Sequence, residues 1–248
     1  MLPENIGYLR VGPWMSHEPA FQQALQKGMQ ELRHTRGLII DVRGNGGGSR
    51  APLRTIFPYF LDPNAAPQVL NVGAYRLGHR QDILDTRWMY RADAPGWSTS
   101  ESHAIDKHRE TFTPEWTLPE GKFSDWHYFV LGPTEDPSTY YYQQPVVILM
   151  NTTNFSATDI FLGAFKGQPN VTLMGTASGG GSGRRQSWRL RYSSVRIDLS
   201  SMASFQRNGL LYDGRGIPPD IVIEPEATFY IGQSDDTLKA AMDFLKGL

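Results

Sequence analysis

Ser156 stands where an apolar run, PVVILM, hands over to a helical pattern, in the stretch NTTNFSATDIFLGAF from Asn151 to Phe165. A serine at such a junction has two uses. It can cap the helix, and Ser156 with Asp159 three residues on is a passable capping box. It can also be a nucleophile beside the free N–H groups of a helix start, where negative charge is favoured. A nucleophilic serine needs a base for its proton and paired donors for the oxyanion. The N–H of Ala157, next in the chain, supplies one donor.

A second stretch offers the other. DVRGNGGG, Asp41 to Gly48, follows the apolar run GLII. It resembles a phosphate loop, but the lysine and spacing of a Walker motif are missing. Two readings stand. One is a tight strand-to-helix turn. The other is a loop in which the N–H of Gly47 or Gly48 faces a reacting oxygen, since glycine lets a backbone approach a ligand closely. The second requires two parallel strands to end side by side.

In order, GLIIDVRGNGGG, PVVILMNTTNFSATDIFLGAF, VTLMGTASGGGSG and GIPPDIVIEP resemble the C-terminal-processing (tail-specific) serine peptidases. The resemblance covers most of the chain and is weakest between about residues 63 and 140. It implies an α/β fold with a crotonase/ClpP-like core. It puts the nucleophile at Ser156, Asp159 in the family's acidic place, and the oxyanion hole at the N–H groups of Ala157 and Gly47. Substrates are then extended peptides or protein tails, cleaved through an acyl-enzyme without a cofactor. An extracytoplasmic setting, periplasmic or secreted, is a further implication, and a homo-oligomer is compatible with it.

The base departs from the bacterial pattern. The processing proteases carry a lysine in a Gly-Lys-Gly turn, and that position falls at about Gly181 here, in SGGGSG. No lysine lies between Lys166 and Lys239. The glycine-rich version is more similar to the tricorn-core branch. That branch pairs its serine with a histidine oriented through a second serine and a glutamate. The acid maps onto Asp213 in LLYDGRG, with a shorter side chain than the branch's glutamate. The branch's histidine comes from upstream of the strand that IGYLRV matches, so the chain is expected to be a trimmed part of something longer, with its base outside. None of His17, His34, His79, His103, His108 and His127 matches that place. His103 and His108, in the irregular middle, are the candidates within the chain. Arg184 and Arg185 suit a substrate carboxylate or belong to a solvated loop.

The elements that must hold these residues follow the same order. IGYLRVG reads as a strand, and Phe21, Leu25, Met29 and Leu32 recur at helical spacing. GLIID suits a strand buried on both faces, and APLRTIFPYFL a helix. This is βα alternation with crossover helices. From about 63 to 144 the period is lost, and the segment is expected to be an irregular insertion with strand fragments such as QVLNVGAYRLG and one helix. Alternation resumes at PVVILM, with a helix from Ser156 and a strand at VTLMGT. SWRLRYSSVRIDLSSMASFQRNG reads as a small antiparallel strand pair, and DDTLKAAMDFLKGL as a terminal amphipathic helix. The whole, residues 1–248, reads as one domain.

Composition narrows the alternatives. With 24 basic and 25 acidic residues and a net charge of −1, nothing points to nucleic acid or an anionic membrane. No run approaches the roughly 20 apolar residues of a membrane span, and no signal peptide is visible. There is no cysteine, so thiol chemistry and disulfides are excluded. No His/Asp/Glu cluster has metal-ligand spacing. Two rivals to the peptidase stay open: a non-catalytic binding module of the same fold, which a missing base favours, and a crotonase-type acyl-CoA enzyme, which needs no serine nucleophile.

Overall fold

The structure is a computed structural model that describes all residues except Trp14, 79–83 and Ile231, and the side chains of Asp85 and Tyr230 are also outside the description. The first third runs β1 (Ile6–Arg10), α1 (Pro19–Glu31), β2 (Gly37–Asp41) and α2 (Ala51–Ile56). The middle holds β3 (Gln68–Tyr75), β4 (Tyr90–Arg91), α3 (Thr99–Thr111) and β5 (His127–Leu131). Then come β6 (Val146–Met150), α4 (Ala157–Phe165) and β7 (Val171–Gly175). The chain closes with β8 (Arg185–Arg189), β9 (Arg196–Ser200), β10 (Met202–Gln206), β11 (Ile221–Val222), α5 (Ala227–Tyr230) and α6 (Asp236–Lys246).

The expected alternation gives a five-stranded parallel sheet, ordered β1-β2-β6-β7-β11. β2 and β6 are adjacent, in register from Leu38↔Val146 to Asp41↔Leu149. Both are buried along their whole length, which is why GLIID and VVILM read as unbroken apolar runs.

The region from 63 to 144 holds the expected strand fragment, as β3, and the expected single α-helix, α3. Its strands join β10 in a second, antiparallel sheet, β10-β3-β5-β4. The period was hidden for two physical reasons. β3 is covered on both faces, so apolar and polar residues do not alternate, and its register slips between Val69 and Asn71. β8 and β9 form the expected antiparallel pair by themselves, while β10 joins the other sheet.

The layers follow from what each face buries. α4 lies between the two sheets, with all nine of its residues buried. Its side chains share one core with Leu38, Ile40 and Ile148 of the parallel sheet and Leu70, Phe129 and Met202 of the antiparallel sheet. α6 covers the other face of the parallel sheet through Ala241 and Leu245. α3 covers the other face of the antiparallel sheet through Ile105. Each fully buried aliphatic or aromatic side chain contributes about 1.5–3 kcal/mol. Among the described residues no helix is long and apolar enough to cross a membrane.

Two features lock the core around α4. Gly163 lets Tyr212 cross the helix closely: a Cβ on Gly163 would stand 2.3 Å from the Tyr212 hydroxyl oxygen. At the end of β2, buried Asp41 accepts from Tyr8 (2.6 Å), Arg10 (2.8 Å) and Arg43 (2.8 and 3.0 Å). Arg43 reaches on to Asp235, before α6, at 2.7 and 2.8 Å. Burial pushes the Asp41 carboxyl up, but the hydrogen bonds from Arg43 and Tyr8 and the two arginine charges outweigh it and hold it below its ordinary value.

Two stability measurements test these locks. Alanine is the better helix former by about 1 kcal/mol, yet Gly163→Ala should destabilise by about 1–3 kcal/mol through overpacking. Adding Tyr212→Phe should recover part of that loss in urea unfolding; full additivity would mean that the two residues do not meet. Asp41 binds protons more weakly folded than unfolded. Its stabilisation is therefore complete above the unfolded value of about 4 and is lost as pH falls through the folded value. Asp41→Asn should cost about 3–5 kcal/mol at pH 7 by leaving Arg43 and Arg10 short of a counter-charge, and should flatten the fall in stability below about pH 4. An unchanged acid limb would remove Asp41 as its source.

Candidate active site

β2 and β6 are neighbours in one parallel sheet, so the loops after them end side by side. The loop after β2 carries the glycines, and the loop after β6 carries Ser156. Three side chains tie them together. Asn154 donates to the carbonyls of Val42 and Asn45. The Asn45 carbonyl also accepts from the Phe155 N–H at 3.3 Å. The buried Asn45 side chain accepts from the Thr158 hydroxyl on α4 at 2.8 Å and from the Gly47 N–H at 2.9 Å.

Ser156 sits at the N-cap of α4 with φ 61° and ψ −116°. Ordinary N-caps take extended angles, and a non-glycine residue at positive φ is uncommon. One half of the expected capping box is firm, with the Ser156 N–H donating to Asp159 at 2.8 Å. The other half, the serine hydroxyl facing the Asp159 N–H, falls short of a capping hydrogen bond. The serine side chain is half-buried and opens on a cavity of about 30 Å³, lined also by Gly48, Arg50, Arg87, Ala157, Ile160 and Ser182.

The glycine loop touches this turn directly. A Cβ on Gly47 would lie 2.6 Å from the Phe155 carbonyl oxygen, 2.7 Å from Ser156 Cβ and 3.0 Å from the Ala157 nitrogen. Gly47 is at φ 107°, so both its angle and its surroundings require glycine. Its N–H, expected in the oxyanion hole, is spent on Asn45. Gly48 differs. It bridges Met15 in parallel fashion, the bonds being made by the flanking Gly47 carbonyl and Ser49 N–H. In that pattern the bridging residue's own N–H points to the opposite side. Ala157, at the first turn of α4, lines the same cavity.

Asp159 organises the loop after β7. It accepts from the Ser178 hydroxyl at 2.5 Å and from the N–H groups of Gly180 and Gly181 at 3.2 and 3.0 Å. Burial pushes its carboxyl above the ordinary value, against the pull of those hydrogen bonds. Gly181 is the position where the processing proteases' lysine was expected to fall. A Cβ there would lie 1.9 Å from the Phe155 ring, so a side chain at this position would have to displace that ring.

Asp213 accepts from the Ser200 hydroxyl at 2.7 Å and the Gly183 N–H at 3.3 Å, and its other carboxylate oxygen is buried without a partner. Gly183 follows Ser182, which lines the cavity under Ser156. Sequence order gives no sign that Ser200 meets Asp213; the packing of β9 against the loop decides it. His103 and His108 are excluded from the site. Both are on α3, which covers the face of the antiparallel sheet turned away from α4. The His108 Nε2 is buried there without a partner, and burial lowers its pKa. Arg184 and Arg185 are exposed. His79 lies outside the described residues. Among the described residues no lysine or histidine lines the cavity, and no group of three metal-ligating side chains is present. A groove of about 1000 Å³ runs past Arg54, Trp88 and Trp97 and does not include Ser156.

Comparison with known proteins places the fold and the family. Among solved structures, a candidate peptidase from Parabacteroides merdae superposes with a TM-score of 0.68 at 22% identity, over 99% of this chain and 62% of that one. Mature CPAF complexed with lactacystin gives 0.66 at 17% identity, over 98% and 52%. The photosystem II D1 C-terminal processing protease gives 0.54 at 16% identity, over 96% and 50%. These identities speak for a shared fold, and the chain spans less than two thirds of the length of each of the three. The model of peptidase family S41 matches residues 5–223, which takes in the glycine loop, the Ser156 turn, the Asp159-bound loop and Asp213. The chain belongs to peptidase family S41.

Proposed function

We propose that this chain is a serine peptidase core that hydrolyses extended peptides or protein tails through an acyl-enzyme on Ser156. The observation that carries this reading is the backbone of Ser156. A positive-φ, non-glycine residue costs of order 1–3 kcal/mol and persists where its surroundings over-determine it. A simple cap needs no such strain. A nucleophile does, because the sharp turn lifts its hydroxyl out of the strand and sets the following N–H beside it.

In this reading Ser156 Oγ attacks the scissile carbonyl carbon, and the carbonyl oxygen becomes an oxyanion. The N–H of Ala157 receives it, together with the N–H of Gly48. Gly47 contributes by having no side chain, which lets the loop approach. Each donor is worth about 3–4 kcal/mol to the transition state. The serine proton passes to a base and then to the leaving amine, and water releases the acyl group. The unpaired oxygen of Asp213 can orient that base, with Ser200 holding the carboxylate in place. Because no described lysine or histidine lines the cavity, the base is proposed to come from beyond the described residues. The same gap supports a second reading, a peptide-binding module of the same fold. An extracytoplasmic location and a homo-oligomeric state belong to the proposal and rest on family resemblance alone.

Two experiments test it. A fluorophosphonate probe should label Ser156 covalently, and Ser156→Ala should abolish labelling while lowering stability by no more than about 2 kcal/mol. Labelling elsewhere, or equal labelling of the variant, rejects the assignment. The second concerns the base. Loss of one triad member leaves only about 10³–10⁴-fold acceleration over water, so the 248-residue chain should digest casein very slowly. Brisk, Ser156-dependent digestion would place the base within the chain, and His79→Ala would be the first variant to examine.

A further inference from the structure

The fold treats the arginines it withdraws from solvent in two ways, Arg43 and Arg50 being buried and Arg87 half-buried. Arg43 is held between two carboxylates, Asp41 and Asp235. Arg50 and Arg87 are not. Arg50 is 3% exposed. It donates to the Asn71 side-chain oxygen at 2.8 Å and the Arg87 carbonyl at 3.5 Å, and lies 5.1 Å over the Phe129 ring. Arg87 donates to the Ser182 carbonyl at 2.6 Å and meets the Met202 sulfur at 3.4 Å. Among the described residues neither guanidinium has a carboxylate within salt-bridge distance. A buried charge without a counter-charge is costly. Burial pushes both guanidinium pKa values down, helped for Arg50 by the charge of Arg87 and for Arg87 by that of Arg184; the more distant Asp213 charge opposes the shift of Arg87, which still falls to about 10.

Both side chains line the cavity that opens under Ser156. A third group there lacks a partner. The Ser182 hydroxyl is buried, in a residue only 1% exposed, and makes no hydrogen bond. Two guanidinium groups without an ion-pair partner and one free hydroxyl converge on a cavity of about 30 Å³. A water needs about 10–15 Å³ of such space, so the cavity admits the oxygens of a carboxylate and not a bulky side chain. Guanidinium and hydroxyl donors suit such a group.

We propose that this cavity is a carboxylate subsite, in which Arg50, Arg87 and Ser182 receive a substrate carboxylate lying next to the scissile bond. The inference rests on the reading of Ser156 as nucleophile. The carboxylate has two sources: the side chain of an aspartate on the acyl side of the bond, or the free terminus of a tail that ends just beyond it.

Two peptidyl phosphonate probes differing only in aspartate or asparagine at the residue bearing phosphorus separate the first source. The aspartate probe should label Ser156 at least about tenfold faster, the size expected for charge-assisted hydrogen bonds. Peptides with free or amidated termini, used as competitors of the asparagine probe, separate the second. Whichever preference appears should fall to about one in Arg87→Gln, persist in part in Arg87→Lys, and fall again in Arg50→Met, with thermal unfolding used to confirm that each variant folds. Labelling of Ser156 with neither preference overturns the subsite and leaves the nucleophile standing. A preference that survives both charge-removing variants also overturns it. No labelling by either probe removes the nucleophile, and the subsite with it.

Discussion

The approach of the glycine loop to the Ser156 turn is the contact on which the site depends. Atoms of Phe155, Ser156 and Ala157 come within 2.6–3.0 Å of where a Cβ on Gly47 would be, so the two loops meet backbone to backbone. Such an approach is possible only because β2 and β6 are adjacent, parallel and in register, which brings both strand ends to one level. Asn45 and Asn154 then bind the loops to each other and to α4.

Buried charge is distributed around that contact in a pattern. Asp41 and Arg43 neutralise each other at the base of the glycine loop and carry the connection to Asp235. Asp159 collects N–H donors from Ser156, Gly180 and Gly181 and so fastens the third loop against the first two. These carboxylates are saturated with partners. Asp213 and Ser182 each keep one buried atom without a partner, Ser182 lining the cavity under the serine and Asp213 beside the loop that follows it.

The chain itself determined more of this than its length suggests. The two apolar runs were enough to expect parallel strands, while the side-by-side ends that the glycines and the serine required were a condition that the pairing of β2 with β6 meets. That expectation held because strands buried on both faces, and turns that need glycine, leave marks on local sequence. Ala157 could be named for the same reason, since a helix start exposes its N–H wherever the helix lies.

What tertiary structure decided was which groups remain free. The Gly47 N–H is taken by Asn45 two residues earlier, which moves attention to Gly48, and nothing in the glycine count distinguishes the two. The antiparallel sheet between 63 and 144 was hidden because both its faces are covered, and with it the position of α3, which carries His103 and His108 away from the serine. No local pattern marks Arg50 or Arg87 in the sequence. The withdrawal of these arginines from solvent without a carboxylate partner, and the meeting of Ser200 with Asp213, arise from packing between segments far apart in the chain, and local patterns record only what neighbours in sequence do to one another.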